Sequence, residues 1–249
     1  MEKTYNYLLK VEYDGTNYSG WQFQKNGKSI QETIERVLQK ILKLKIKING
    51  AGRTDKGVHA FGQHANFKIN KKIKNEKKFL NSLNFFLGKK SISIISVKRK
   101  KTIFHSRFDA KERIYVYKII NREGSLSINK SKAWHVKTKL DIILLKKGAK
   151  VLEGKHDFST FRASSCSAKS PIKRMNSVKV SKKGDEIILI FKSKSFLQNQ
   201  VRSMVGSLKY LSSGKWSLKE FKKVFFSKNR SYCAPPAPAC GLYLQNIKY

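Results

Sequence analysis

The chain has 249 residues and a formal net charge of +38, because 54 Lys and Arg residues stand against only 16 Asp and Glu residues. Apolar residues make up 40% of the composition and aromatic residues 11%, which is enough for a core and excludes disorder caused by low hydrophobicity. No run approaches the about 20 apolar residues that span a bilayer, so no membrane partner is expected. The three cysteines lack metal-ligand spacing, which argues against a disulfide framework and a zinc site.

The first part of the chain alternates predicted strands and helices. Period-two alternation predicts a strand over residues 5–13. Ser29 and Glu32 have capping-box spacing and begin a helix predicted to run to about Leu44. The elements predicted next are a short strand over 46–48, a glycine-rich loop over 50–59, a strand over 60–69, a helix around 79–87 and a strand over 92–96.

The second part repeats this mixture. The predicted elements are a strand over 113–120, a polar connection over 122–132, a helix over 141–152, a hairpin of strands over 174–181 and 186–193, a helix from 197 to 211, a short helix capped by Ser217 and Glu220, and a last strand over 241–247. Mixed elements with a hairpin favour α+β architecture with a largely antiparallel sheet over a doubly wound parallel one. We expect two similar α/β halves, residues 1–110 and 111–249, that share this mixed sheet with flanking helices.

Asp55 is the only acidic residue between Glu35 and Glu76, and lysines and arginines surround it in the sequence. Such a field favours the carboxylate anion and holds its pKa below the reference value of about 3.9. A carboxylate repels phosphate, so a surface that only binds RNA would gain by losing it. Asp55 is therefore a candidate nucleophile, general base or arginine partner, although aspartate is also common in turns.

The string around Asp55, GAGRTDKGVHA over residues 50–60, resembles the signature of the tRNA pseudouridine synthase A family. Further motifs of that family follow in order over essentially the whole chain. They are YDGTxYxGWQ at 13–22, FHSRFxAxxRxYxY at 104–117, GxHDFxxF at 154–161, FLxxxVRxxVG at 196–206 and APAxGL at 237–242. Departures at Gln200, Ser203, Gly88 and His64 remove no reacting group.

The resemblance implies the pseudouridine synthase fold and an isomerase that converts uridine to pseudouridine at positions 38, 39 and 40 of the tRNA anticodon arm. It implies that Asp55 is the essential nucleophile, adding to the uracil ring or acting at the ribose carbon. Tyr115 would stack on the target base and take part in proton transfer, and Arg202 would pair with the catalytic carboxylate. The half over 1–110 would carry the Asp55 loop, the half over 111–249 would carry Tyr115 and Arg202, and both would form one continuous catalytic unit.

The reaction is an isomerisation, so no cofactor and no metal are expected. Arg53 and Arg107 are further candidates for RNA contact, and His59 is a weaker one because a lone histidine is more often structural. The resemblance implies tRNA as the partner and a homodimer, and the absence of an apolar signal core in the first residues predicts a cytoplasmic protein. Two alternatives stay open: a pseudouridine synthase acting on another RNA, and a non-catalytic basic RNA-binding protein.

Overall fold

The computed structural model describes residues 3–249, which divide into two compact units. The first unit comprises the chain up to Lys111 together with Leu244–Tyr249, and the second comprises Glu112–Tyr243. In the described residues, no helix is long and apolar enough to cross a bilayer.

The first unit is a largely antiparallel sheet with two helices. Its elements are β1 (Tyr5–Tyr13), α1 (Ile30–Leu42), β2 (Asn49–Gly50), β3 (His59–Ile69), α2 (Glu76–Leu87), β4 (Ile92–Lys100) and the end of β10 (Leu242–Lys248). The strand order is β4-β1-β3-β10, and β2 pairs with β3. Strand β1 has the bounds that the alternating pattern predicted, and it is antiparallel to both β3 and β4.

The register of β1 and β3 separates two faces of this sheet. On one face, Tyr7 stacks on Phe67 with ring centroids 5.7 Å apart, and Phe79 of α2 packs 6.5 Å from Phe67. The opposite face carries Asn6 and Asn66, both fully buried although they are polar. The aromatic face forms the helix-covered core of the unit, and the opposite face buries two amide side chains.

The second unit combines a sheet with three helices. Its elements are β5 (Glu112–Asn121), β6 (Trp134–Val136), α3 (Ile142–Val151), β7 (Gly154–Asp157), β8 (Ile172–Lys183), β9 (Glu186–Ser193), α4 (Gln200–Ser212), α5 (Leu218–Phe226) and the start of β10. The order β5-β9-β8-β7 is antiparallel throughout, and β6 pairs parallel to β5. The prediction of α+β architecture with largely antiparallel pairing is confirmed.

Several predicted boundaries are wrong for identifiable reasons. Residues 46–48 form no strand, because the Ile48 N–H donates to the Glu35 carboxylate of α1 at 2.9 Å instead of joining a ladder. Helix α1 ends at Leu42, where Lys43 adopts a left-handed conformation with φ +57°. Helix α4 begins at Gln200 and not at residue 197, because the preceding residue, Asn199, is left-handed with φ +61°.

The two predicted capping boxes have different outcomes. At α5, Ser217 accepts the Glu220 N–H and the Glu220 carboxylate accepts the Ser217 N–H, so that box is complete. At α1, Ser29 accepts the Glu32 N–H, but the Glu32 carboxylate instead binds Arg36 at 2.6 Å. Strands β6 and β7 were not predicted, since short segments without an apolar alternation give no strand signal.

Candidate active site

The loop that contains Asp55 is clamped by the turn that follows β1. The hydroxyls of Tyr13 and Thr54 form a hydrogen bond of 2.8 Å in the protein interior, and the Trp21 N–H donates to the Thr54 carbonyl at 3.0 Å. Gly20 is left-handed, with φ +112°, and a Cβ there would lie 2.7 Å from the Thr54 carbonyl oxygen. Glycine at position 20 of the motif over residues 13–22 is therefore required by geometry, because only glycine permits this close approach.

Asp55 begins a tight turn at the tip of this loop. Its carbonyl accepts the Val58 N–H at 3.1 Å, and Gly57 supplies a positive φ of +77° within the turn. Thr54 and Val58 on either side are buried, whereas Asp55 itself is half-buried. The Asp55 side chain therefore extends from a short turn whose two ends are buried. Such a support restricts the positions that a reacting carboxylate can adopt.

His59 lies inside the protein with only 2% of its surface exposed. Its Nδ1 atom accepts the Gly15 N–H at 3.1 Å and lies 3.0 Å from Oδ1 of Asp14. These contacts join the start of β3 to the turn after β1. The buried ring thus supports the loop, and direct contact between His59 and RNA stays a prediction.

Arg53 and Arg107 are both exposed in the first unit. Arg53 lies on the Asp55 loop, two residues before the carboxylate. Arg107 lies on the segment between β4 and β5, and its guanidinium is 5.7 Å from the ring centroid of Phe108. The exposure of both arginines is compatible with the RNA contacts predicted for them.

In the second unit, Tyr115 lies on β5 between two other residues of the same strand face, Arg113 and Tyr117. Tyr115 is 7% exposed, and its ring meets the ring of Phe196 edge to face at 4.9 Å. Tyr117 is fully buried and donates its hydroxyl proton to the Pro238 carbonyl at 2.7 Å. Burial raises the pKa of Tyr117 well above its usual value of 10, so this phenol stays protonated.

Arg202 lies in the first turn of α4 and is half-buried. Its Nε–H donates to the Ala237 carbonyl at 2.7 Å, and Nη1 donates to the Asn199 side-chain oxygen at 3.2 Å. The Ala237 N–H returns a bond to the Arg202 carbonyl at 2.9 Å. The positive charge of Arg202 opposes the rise that burial imposes on the pKa of both Tyr117 and Cys240. The guanidinium is thus oriented beside the segment over 237–241.

Each unit therefore gathers part of the predicted site. In the first unit, Arg53 and Asp55 lie on one loop and His59 begins the strand β3 that follows it. In the second unit, Arg202 and the strand face of Tyr115 adjoin the segment over 237–241. Thr54 and Phe196 also support the predicted residues, and their place inside the motifs is the only signal for them in the sequence. In residues 3–249, no cluster of three or more His, Cys, Asp or Glu side chains is arranged to hold a metal ion.

Comparisons with known proteins agree with these motifs. The family model described as tRNA pseudouridine synthase matches residues 10–109 and 149–249. The chain belongs to this family.

Curated relatives cover nearly the whole chain. A protein of Pelagibacter ubique named tRNA pseudouridine synthase A is 54% identical over 98% of this chain and 100% of its own length. Proteins with the same name from Neorickettsia sennetsu and Maricaulis maris are 42% and 41% identical, each over 98% of this chain and over 99% and 97% of their own lengths. The resemblance drawn from the motifs is confirmed.

Proposed function

We propose that this chain is an isomerase that converts uridine to pseudouridine in tRNA. The observation that carries the proposal is Asp55, a lone carboxylate in a basic segment, held on a clamped turn within a chain of the tRNA pseudouridine synthase family. The net charge of +38 suits a polyanionic substrate. The relatives' shared name supports tRNA as that substrate.

The reaction breaks the bond between ribose C1′ and uracil N1 and forms a bond between C1′ and C5. A proton leaves C5 and a proton is gained at N1, so atoms and electrons balance without a cofactor. Asp55 is the nucleophile in this proposal, either at the uracil ring or at the ribose carbon. In both cases an oriented, ionised carboxylate is required.

Tyr115 and Arg202 complete the proposed catalytic set. The flat phenol ring of Tyr115 stacks on the target base and its hydroxyl exchanges a proton, two roles that a tyrosine can combine. Arg202 pairs with the catalytic carboxylate and keeps it ionised, and its contacts to Ala237 and Asn199 support this role by fixing the guanidinium plane. Arg53, Arg107 and, more weakly, His59 contact the RNA.

The finer expectations are also part of the proposal. The modified uridines are those at positions 38, 39 and 40 of the anticodon stem-loop, the protein acts in the cytoplasm as a homodimer, and the parts over 1–110 and 111–249 form one continuous catalytic unit. A monomeric mass in sedimentation experiments would contradict the dimer. Modified positions mapped outside the anticodon arm, or in an RNA other than tRNA, would favour the alternative substrate.

The decisive experiment incubates the protein with an unmodified tRNA transcript and measures pseudouridine by mass spectrometry after nuclease digestion. We expect product with the wild type and none with Asp55→Asn, because the amide keeps the shape of the side chain but is not a nucleophile. Filter binding should show nearly unchanged tRNA affinity. Asp185→Asn, at the exposed turn between β8 and β9, is the matched control and should turn over normally.

Two results would contradict this assignment. Turnover by Asp55→Asn near the wild-type rate would remove Asp55 from the chemistry. Tight tRNA binding by the wild type without any pseudouridine would favour the non-catalytic RNA-binding alternative.

A further inference from the structure

The segment between β4 and β5 is fastened to the sheet by two buried asparagines. Asn6 is fully buried, and its amide nitrogen donates to the carbonyls of Lys101 and Phe104 at 3.1 and 2.8 Å. The Asn6 oxygen accepts the amide of Asn66 at 3.0 Å, and the Asn66 oxygen accepts the Ser106 N–H at 2.9 Å. Burying two amides is costly unless their polar atoms are paired, and here they are paired largely with the backbone of one loop.

The same segment is tied to the strand that leads into the Asp55 loop. The Ser106 hydroxyl donates to the carbonyl of Asn49 in β2, and the Tyr249 hydroxyl donates to the Ser106 carbonyl at 3.0 Å. Asn49 pairs with Asn66 in the sheet and lies six residues before Asp55. Hydrogen bonds therefore hold the base of the segment in a fixed position relative to β2, the strand that leads into the candidate catalytic loop.

The tip beyond this base projects an apolar ring into solvent. Phe108 is 72% exposed, whereas Ser106, two residues earlier at the anchored base, is fully buried. The His105 ring lies 4.4 Å from the Phe108 ring, and the Arg107 guanidinium lies 5.7 Å from it. The nearby carboxylate of Asp109 is engaged at the loop base, where it accepts the His105 N–H at 3.0 Å.

We propose that the ring of Phe108 stacks on one unpaired nucleobase of the substrate RNA. The Asn6–Asn66 hydrogen-bond network fixes the position of the segment that carries this ring. Aromatic rings beside cations are the usual combination for binding single-stranded RNA, because each base has a flat face and each nucleotide a phosphate. The net charge of +38 and the adjoining Arg107 favour a polyanion over a protein as the occupant. This inference rests on the proposed function, which supplies tRNA as the ligand.

The first test measures tRNA affinity of Phe108 variants at several salt concentrations. Phe108→Ala should weaken the Kd about tenfold, within the range known for base–aromatic stacking, without changing the salt slope because no charge is lost. Phe108→Trp should keep the affinity, and its added fluorescence should be quenched by tRNA. Phe85→Ala, at an equally exposed phenylalanine of α2, is the control and should bind as the wild type does.

The second test asks whether the asparagines act through Phe108. Asn66→Leu should weaken tRNA binding, and combining it with Phe108→Ala should add little, because both changes remove the same contact. Circular dichroism melting checks that Asn66→Leu folds, and if it does not, the Phe108 series decides alone. The Asn66→Leu variant should raise KM more than it lowers kcat, since the network positions substrate and not the reacting groups.

The inference is overturned if Phe108→Ala binds tRNA within twofold of the wild type, or if the added tryptophan is not quenched. It is also overturned if Phe108→Ala changes the sedimentation mass, because the ring would then cover a second copy of the chain. These outcomes are independent of whether the wild type forms pseudouridine. Failure of the proposed function and failure of this inference are therefore distinguishable.

Discussion

At the scale of single residues, Arg202 has contacts that a lysine could not reproduce. Its guanidinium donates from Nε to the Ala237 carbonyl and from Nη1 to the Asn199 oxygen, which fixes the plane of the group. A lysine has one nitrogen and no fixed plane, so it keeps the charge and loses the orientation.

We therefore expect Arg202→Lys to lower the single-turnover rate by at least about tenfold, which corresponds to about 1.4 kcal/mol of lost orientation in the transition state. Rapid-quench kinetics at saturating enzyme measure this rate. Arg122→Lys, at a half-exposed site of the second unit, is the control. An unchanged rate for Arg202→Lys would contradict a role that depends on the guanidinium.

The ring and the hydroxyl of Tyr115 can be tested separately. Packing of the ring against Phe196 does not involve the hydroxyl, so Tyr115→Phe keeps the ring and should keep tRNA affinity. If activity is then lost, the hydroxyl takes part in proton transfer. Full activity of this variant would leave only stacking to Tyr115.

At the scale of elements, hydrogen bonds join the turn after β1 to the Asp55 loop. Two contacts join them, the hydroxyl pair of Tyr13 and Thr54 and the bond from Trp21 to the Thr54 carbonyl. Removing the Tyr13 hydroxyl leaves the buried Thr54 hydroxyl without this partner. Such a loss costs about 1–3 kcal/mol.

Tyr13→Phe should therefore lower both the free energy of unfolding and kcat, because the clamp sets the position of Asp55. Ser217→Ala is a useful comparison, since it breaks the capping box of α5 in the other unit. That change should cost about 1 kcal/mol of stability while leaving kcat unaltered. Urea unfolding and steady-state assays measure the two effects, and equal loss of kcat in both variants would argue against a specific clamp.

At the scale of the whole molecule, the excess positive charge favours RNA binding and also makes the stability of the fold depend on pH. His64 on β3 has its pKa lowered from 6.5 to about 4, first by burial and then by the charges of Lys10, Lys100 and Lys98. As the pH falls, His64 is therefore protonated near pH 6.5 in the unfolded chain but only near pH 4 in the folded chain. The stability that depends on neutral His64 is present above pH 6.5 and is lost as the pH falls towards 4.

We expect the free energy of unfolding to decrease between pH 6.5 and 4, and His64→Gln to show a smaller decrease over that interval. Urea titrations at several pH values test this. Identical pH profiles for the two proteins would show that other groups dominate the acid instability.

Salt dependence shows how much of the charge is used in binding. The logarithm of tRNA affinity should fall linearly with the logarithm of salt concentration, with a slope of about 0.7–0.9 per phosphate contact. Because lysines are spread along the whole chain, we expect far fewer contacts than the net charge of +38. A flat salt profile would contradict phosphate binding altogether.

The sequence by itself determined the family, the mixed α+β architecture and the identity of the candidate reacting groups. Alternating patterns such as that of Tyr5–Tyr13 mark strands because one face must be buried, and the motif around Asp55 is local in the chain. Local patterns failed at residues 46–48, where a carboxylate from α1 takes the Ile48 N–H that a strand would have used.

Only the tertiary structure decided how the loops are held. The Tyr13–Thr54, Arg202–Ala237 and Asn6–Phe104 bonds join residues 41, 35 and 98 positions apart in the chain. No periodicity reports such pairs, because they exist only after the packed sheet has brought distant segments within hydrogen-bond distance. The sequence thus identifies the candidate reacting groups, and long-range packing determines how the loops that carry them are positioned.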